Sequence, residues 1–225
     1  MIQYHPIATQ IYNLLIQDEI TKQEGEILFD FLNISVKINE KSAVGDLFQE
    51  WFAEWMRQKN INFRTKQNTQ ELPDFLVDEN SNITGLLEIK SFYSSANFDV
   101  ANFEAYCDSL TKQAYRLDAD YLIFSYDIQD YKFKVKKVWL KKIWEITGKS
   151  DRYPVRCQAK RNVIYNIRPI SWFSERTKYK PFPSRYNFVT ALYDTLMQYY
   201  ITSKDSNNWL ERVKANYWDH TQGEL

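Results

Sequence analysis

Two short apolar segments separated by a turn-forming run constrain the fold of this chain more than any other feature of its sequence. Residues 72–78 (LPDFLVD) and 84–91 (TGLLEIKS) each have the length and the composition of a β-strand. The Asn-Ser-Asn run at 80–82 between them is typical of a turn. We therefore expect the two segments to pair as the strands of one hairpin.

The expected hairpin brings charged side chains together. Residues two apart lie on the same face of a strand, so Glu88 and Lys90 share a face while Ile89 points into the core. Asp74, near the start of the first strand, then lies opposite Glu88. Two carboxylates beside an ammonium group suit metal-assisted phosphodiester cleavage, because Mg²⁺ takes one or two carboxylates, keeps several waters and accepts phosphate oxygens. The alternative is a surface hairpin with a solvated Glu–Lys pair.

Pro73-Asp74, Glu88, Ile89 and Lys90 resemble the motif of the PD-(D/E)XK nuclease superfamily. The resemblance implies that Asp74 and Glu88 hold a divalent ion, Mg²⁺ (or Mn²⁺). It also implies that Lys90 orients or deprotonates the attacking water and stabilises charge on the phosphate.

The segment before the hairpin predicts an amphipathic helix at residues 42–58. Its apolar side chains are spaced for one helical face: Val44, Leu47, Phe48, Trp51, Phe52 and Trp55. The superfamily core often opens with such a helix, which carries a glutamate near the metal. Glu50 lies on the flank of the apolar face, so the resemblance implies that it is a further metal ligand. The alternative is an ordinary surface glutamate.

The segment after the hairpin predicts a helix and then a buried strand. Apolar residues recur at roughly helical spacing within residues 98–117, and residues 119–126 (ADYLIFSY) are typical of a strand buried on both faces. Helix, strand, strand, helix, strand is the order of the superfamily core. The resemblance implies an α/β (α+β) fold with a restriction-endonuclease-like core, in which helices flank a central mixed β-sheet.

Positive charge is concentrated in one part of the chain. The whole sequence has 29 Lys or Arg and 29 Asp or Glu, a net charge of zero. Residues 132–180 hold fifteen of the basic residues and three of the acidic ones, so this segment carries +12 and the rest carries −12. A basic segment beside an acidic metal-binding half suits the binding of a polyanion. For residues 132–142 the alternative is a solvated lysine face on an amphipathic strand.

Residues 153–169 (YPVRCQAKRNVIYNIRP) predict two strands with a polar face. Arg and Lys recognise guanine, and Asn and Gln recognise adenine, in a major groove that admits a two-stranded ribbon. We therefore expect this region to contact DNA bases through Arg156, Gln158, Lys160, Arg161, Asn162, Asn166 and Arg168. The alternative is a polar strand pair that packs beside the core.

The chain is long enough to bury a sizeable core, and seven Trp, sixteen Tyr and fourteen Phe can fill it. We expect one domain over residues 1–225. Within it we distinguish a nuclease core at about 42–127, a basic, β-rich DNA-recognition segment at about 131–180 and a C-terminal helical segment at about 184–220. Residues 7–20 predict a further helix.

Several classes of protein are excluded by composition. The two Cys and two His residues lack the spacing of a zinc site, and one histidine near each end does not suit a Ser-His-Asp hydrolase. The sequence has no Gly-rich phosphate loop that would indicate ATP use, and no apolar run of about twenty residues that would span a membrane. We expect a cytoplasmic protein with reduced thiols.

The resemblance implies a Mg²⁺-dependent, sequence-specific double-stranded DNA endonuclease, most similar to the type II restriction endonucleases. It implies hydrolysis to 5′-phosphate ends by a homodimer whose two-fold symmetry matches a palindromic site. Two alternatives stay open. One is a structure-specific repair or recombination nuclease with the same core, and the other is a non-catalytic DNA-binding module with a degenerate core.

Overall fold

The structure, a computed structural model, describes residues 2–40, 44–66, 72–161, 163–199 and 208–225. The helices of these residues are α1 (Pro6–Gln17), α2 (Val44–Gln58), α3 (Phe103–Leu110), α4 (Ile143–Ile146), α5 (Arg185–Tyr199) and α6 (Trp209–Thr221). The strands are β1 (Leu28–Phe31), β2 (Ile34–Lys37), β3 (Phe75–Leu76), β4 (Leu86–Tyr93), β5 (Ala101–Asn102), β6 (Asp120–Gln129), β7 (Lys132–Lys142), β8 (Cys157–Lys160) and β9 (Val163–Ile167).

The chain folds into two compact units, each built from separate stretches of sequence. The first comprises Met1–Ala96 and Asp120–Lys141, and the second comprises Asn97–Ala119 and Lys142–Leu225. These boundaries differ from the seams expected from the sequence. Residues 97–119 of the expected nuclease core belong to the second unit, and most of β7 belongs to the first. The organisation as one domain stays a prediction.

A four-stranded sheet with the strand order β3-β4-β6-β7 forms the centre of the first unit. Strand β3 pairs antiparallel with β4, and β4 pairs parallel with β6, so the sheet is mixed. Strands β6 and β7 are joined by Asp130 and Tyr131, which both have positive φ angles, as a tight two-residue hairpin turn requires. The mixed central sheet expected from the sequence is therefore confirmed.

Helix α2 packs its apolar face against this sheet. The ring centroids of Phe48 and Phe52 lie 4.6 Å and 6.1 Å from that of Phe124 on β6, and all three side chains are buried. The predicted helix thus forms, although the first two residues of its expected range, 42 and 43, lie outside the described residues. Leu47 and Trp51 lie at the edge of the apolar face and are 45% and 43% exposed.

The second unit contains a three-stranded sheet with the order β5-β9-β8 and the helices α3 to α6. The single helix expected at 98–117 is wrong, because α3 has only eight residues and a short 3₁₀ helix, Ala114–Asp118, follows it. Asn102 starts α3 by accepting a hydrogen bond from the backbone of Ala105 (3.0 Å). The backbone N–H of Ala114 donates to the side chain of Asn216 (2.8 Å) instead of continuing the helix.

Asp118 holds the two C-terminal helices of the second unit. One of its carboxylate oxygens contacts the Arg185 guanidinium of α5 at 2.5 Å, and the other accepts a hydrogen bond from the Tyr217 hydroxyl of α6 at 2.6 Å. The guanidinium also stacks on the Tyr217 ring, 4.4 Å from its centroid. Helices α1, α5 and α6 are present near the two chain ends as predicted, and residues 200–207 of the expected C-terminal helical segment lie outside the described residues. No helix in the described part of the chain is long and apolar enough to cross a membrane.

Replacing Phe124 with Ala should lower the free energy of unfolding by about 3–5 kcal/mol, since it leaves a cavity beneath α2. The control is Ile16→Ala, because Ile16 belongs to the same unit and is 48% exposed, so its loss should cost about 1 kcal/mol or less. Urea denaturation of the two variants measures the difference. Equal losses would show that the α2–sheet contact is not the core described above.

Candidate active site

Asp74 and Glu88 lie side by side where β3 and β4 begin to pair. Phe75 is opposite Leu87, so Asp74 is opposite Glu88. The backbone N–H of Asp74 donates to Glu88 Oε2 (3.1 Å), and the backbone N–H of Ile89 donates to Asp74 Oδ2 (2.7 Å). Each carboxylate is thus fixed by the backbone of the opposite strand.

Lys90 completes the group on the same face of β4. Its Nζ lies 2.8 Å from Glu88 Oε1, and its side chain is 23% exposed whereas that of Glu88 is 7% exposed. Ile89, between them, is buried in the core. The structure therefore brings together the three side chains that the strand periodicity predicted. Their metal-binding and catalytic roles stay predictions.

Gln49, not Glu50, is the residue of α2 that contacts the pair. Gln49 Nε2 donates to Asp74 Oδ1 (3.2 Å), while Glu50 is exposed. Each residue turns a helix by about 100°, so Gln49 falls on the side of Phe52 and Glu50 lies beyond it. Gln49 was not among the predicted site residues, because its amide is not a metal-binding carboxylate. Its position, one residue after the buried Phe48 and one turn before Phe52, could have indicated that Gln49 faces the sheet.

The site holds more negative charge than Lys90 offsets. Burial, and then the charge of Glu88, raise the pKa of Asp74 from 3.8 to about 7, although the hydrogen bond from Ile89 and the charge of Lys90 oppose this. A divalent cation would offset this charge, and carboxylate oxygens are the ligands that Mg²⁺ and Mn²⁺ prefer. No group of three or more His, Cys, Asp or Glu able to hold a metal lies within the described ranges. The donor set is thus the two carboxylates, which fits a hydrated hard cation.

The residues expected to contact DNA lie on, between or directly beside the strands β8 and β9 of the second unit. They are Arg156, Gln158, Lys160, Arg161, Asn166 and Arg168. The two strands form the expected antiparallel ribbon. Asn162 lies outside the described residues. DNA contact by this ribbon stays a prediction.

Arg168 is engaged within the second unit. Its side chain is 14% exposed and contacts Asp99 Oδ1 at 2.8 Å. It also donates to Gln158 Oε1 (2.7 Å) and to the backbone carbonyl of Asn97 (2.7 Å). Asn166 donates to the same oxygen of Gln158 (3.2 Å). These side chains bind one another, which favours a supporting role for Arg168 over direct base recognition.

The outer face of the ribbon carries residues with fewer such constraints. Lys160 is exposed, and Arg161 is exposed at the turn with a φ of 51°. Val163 and Tyr165 are exposed as well, and Tyr165 is the extra residue of a β-bulge opposite Gln158 and Ala159. Neither Val163 nor Tyr165 was among the residues expected to contact DNA.

The sequence profile of the NgoBV restriction endonuclease family matches residues 5–225. The chain belongs to this family. Its relatives include the type II restriction enzyme NlaIV from Neisseria lactamica, which is 35% identical over 218 residues that cover 95% of this chain and 90% of the relative. The type II restriction enzyme NgoBV from Neisseria gonorrhoeae is 32% identical over 158 residues, which cover 68% of this chain and 90% of the relative.

A solved structure shares the fold of this NgoBV-family chain. The NlaIV restriction endonuclease superposes with a TM-score of 0.91 at 34% sequence identity, over 97% of this chain and 91% of that one. The resemblance to restriction endonucleases and the mixed α+β fold class are therefore confirmed.

For this NgoBV-family chain we expect Asp74→Asn to raise the melting temperature at pH 8 in the presence of EDTA. Because the folded-state pKa of Asp74 is raised, its ionisation opposes folding. This cost is absent below about pH 4 and grows as the pH rises through 7, so the gain should be larger at pH 8 than at pH 5. Calorimetry measures it, at about 2–4 °C for each kcal/mol in a chain of this size.

Asp78→Asn is the matched control. Hydrogen bonds from Thr84 and Asn80 hold the pKa of Asp78 below its ordinary value, so its replacement should lower the melting temperature at pH 8. An Asp74→Asn gain that is equal at both pH values would contradict the raised pKa.

Proposed function

We propose that this chain is a type II restriction endonuclease that hydrolyses both strands of duplex DNA at a specific sequence. It would use Mg²⁺ (or Mn²⁺) and leave 5′-phosphate ends. One observation carries the proposal: Asp74 and Glu88 are hydrogen-bonded across two strands, with the Lys90 ammonium 2.8 Å from Glu88. Membership of the NgoBV family and the activity named for its relatives support the reaction class.

Asp74 and Glu88 are the residues that would hold the divalent cation. When bound, the cation lowers the pKa of a coordinated water and offsets negative charge on the phosphate. The backbone N–H groups of Asp74 and Ile89 hold the two carboxylates in position before any cation binds. Such preorganisation reduces the reorganisation that catalysis requires.

Lys90 and Gln49 act beside the two carboxylates. The contact with Glu88 keeps the Lys90 ammonium on the carboxylate face of β4, where it orients the attacking water and stabilises charge on the phosphate. Gln49 orients Asp74 through its hydrogen bond to Oδ1. Glu50, which is exposed, remains a candidate that reaches the cation through water.

Asp74→Ala and Lys90→Ala should abolish or strongly reduce cleavage of unmethylated phage DNA. Removal of one group that stabilises the transition state typically costs about 10²–10³-fold in rate. The assay compares Mg²⁺ with EDTA. The control is Lys22→Ala, which should cleave normally because Lys22 is an exposed lysine that is not part of the site. Fragment ends from the wild-type digest give the recognition sequence.

Each outcome of this digest has a distinct meaning. Discrete fragments that require both Mg²⁺ and Asp74 support a sequence-specific endonuclease. A smear, or cleavage of branched substrates alone, would favour the non-specific or structure-specific nuclease. Intact DNA in every lane, with DNA binding retained, would favour the non-catalytic module.

We also propose that Lys160 and Arg161 contact DNA from the outer face of the β8–β9 ribbon, while Arg168 holds the ribbon in place. Both expectations follow from exposure: the first two side chains are open to solvent, and Arg168 is bound to Asp99 and Gln158. A protein that neutralises phosphates releases counterions, so affinity should fall steeply with salt.

Arg161→Ala should weaken DNA binding and leave the melting temperature unchanged. Arg168→Ala should destabilise the second unit by about 1 kcal/mol, because it removes hydrogen bonds and an ion pair whose partners, Asp99 and Gln158, are open to solvent. Fluorescence anisotropy with the recognised duplex and a scrambled duplex separates the roles. A loss of about 1–3 kcal/mol on the recognised duplex alone indicates base contact, and a uniform loss indicates phosphate contact. Unchanged affinity of Arg161→Ala for both duplexes would refute contact by Arg161.

Two further features belong to the proposal. A homodimer would place two copies of the site about a two-fold axis, which matches the symmetry of a palindromic sequence and allows both strands to be cut. The cytoplasmic location expected from the sequence stays a prediction.

A further inference from the structure

The hairpin of β1 and β2 in the first unit has an exposed apolar face. Its cross-strand pairs are Phe29 with Val36 and Phe31 with Ile34, and the members of such pairs lie on the same face. All four side chains are between 47% and 65% exposed. The other face is more polar and carries Leu28, Asp30, Ser35 and Lys37. A lone two-stranded hairpin is marginally stable in water, so an uncovered apolar face calls for a partner.

The tip of the hairpin also exposes an apolar side chain. Leu32 and Asn33 form its two-residue turn with φ angles of 48° and 62°, and Leu32 is 76% exposed. Turns of this kind favour Asn-Gly, and a non-glycine residue in the left-handed region costs of order 1 kcal/mol. Within a single copy of the chain, Leu32 is hardly buried, so no burial of its side chain offsets the cost of its strained backbone.

A groove borders the base of the hairpin. It has a volume of about 440 Å³, and Ile27, Leu28, Leu47, Trp51 and Phe133 are among the residues that line it. Leu47 and Trp51 are the exposed apolar residues of α2 described above. We call Phe29, Phe31, Leu32, Ile34 and Val36 the hairpin patch, and these five lining residues the groove.

The exposed apolar area matches that of a protein interface. Leu28 lies on the other face of the hairpin, and the remaining seven large apolar residues of the hairpin patch and the groove are each between 43% and 76% exposed: Phe29, Phe31, Leu32, Ile34, Val36, Leu47 and Trp51. At about 200 Å² for a large side chain they present on the order of 800 Å². The largest apolar patch of a typical monomer is about 300–600 Å², whereas each partner of a standard interface buries about 800 Å².

Charge argues against DNA as the partner here. Residues 23–38 contain three carboxylates and one lysine. Lys132 and Lys134 lie 3.5 Å and 3.4 Å from Glu24, so together with Lys37 they balance the three carboxylates. The surface therefore lacks the excess of positive charge with which proteins bind a polyanion. A second apolar patch needs no such charge.

We propose that the hairpin patch and the groove form the surface through which two copies of this chain pair about a two-fold axis. In such an interface the same patch of each copy contacts the other, so an apolar surface is its own complement. The choice of a second copy as partner rests on the proposed function, because an enzyme that cuts both strands of a palindrome needs two active sites.

The test is the mass of the wild-type chain in solution, without DNA or metal, as a function of concentration. We expect twice 27.0 kDa for the wild type. Phe31→Asp and, independently, Leu47→Asp should raise the dimer dissociation constant by about 30-fold or more, as loss of a central interface residue does. Ile16→Asp is the matched control, since Ile16 belongs to the same unit and is 48% exposed, close to the 45% of Leu47, but lies on α1.

A wild type of 27.0 kDa at every concentration, or variants that dimerise as tightly as Ile16→Asp, would overturn the proposal. So would a Phe31→Asp variant that keeps its dimeric mass but loses DNA binding, which would make the hairpin a DNA contact. Hydrogen exchange of the wild type needs no variant: protection of residues 28–37 that grows with protein concentration supports the interface, and equal exchange refutes it.

Failure of this proposal is separable from failure of the proposed function. Asp74→Ala should keep the dimeric mass although it cannot cleave. A dimer that cuts no DNA would support the interface and refute the proposed nuclease activity. A monomer that cuts DNA in an Asp74-dependent way would support the nuclease activity and refute the interface.

Discussion

The alignment of β3 with the start of β4 in the first unit depends on the reciprocal hydrogen bonding of Asp74 and Glu88. Strand β3 has only two residues, and a backbone pair this short provides little register on its own. Each carboxylate adds a bond to the backbone of the opposite strand, so the acidic residues fix the geometry in which they are needed. The arrangement is costly, because two like charges are buried together. The aromatic contacts around Phe52 and Phe75 on the inner side of the sheet stabilise the strands that hold them.

The parts of the site that the sequence predicted are those set by local periodicity. Glu88, Ile89 and Lys90 alternate along one strand, and a short turn returns the chain to Asp74, so strand geometry alone brings them together. Gln49 lies on another element, and its role depends on which side of α2 faces the sheet. A helix turns by about 100° per residue, so neighbouring residues such as Gln49 and Glu50 have different surroundings. Composition does not distinguish them.

The second unit was harder to predict because long-range contacts decide it. The regular apolar spacing at 98–117 favours one helix, yet the hydrogen bond of Ala114 to Asn216, about a hundred residues away, ends that pattern. In the same way the partners of Arg168 include Asn97 and Asp99, which no local pattern connects with a strand near residue 168. The strands β8 and β9 were predicted correctly from alternation. The contacts of their side chains were not predicted, since these depend on the elements packed around the strands.

The path of the chain between the two units limits how this fold can change. It crosses from one unit to the other at Ala96–Asn97, Ala119–Asp120 and Lys141–Lys142. A single recombination event between two related genes would therefore join mismatched fragments inside at least one unit. Exchange of an intact second unit would require several simultaneous crossovers. The second unit should therefore change mainly by point substitution and small loop changes, and not by exchange as a whole module.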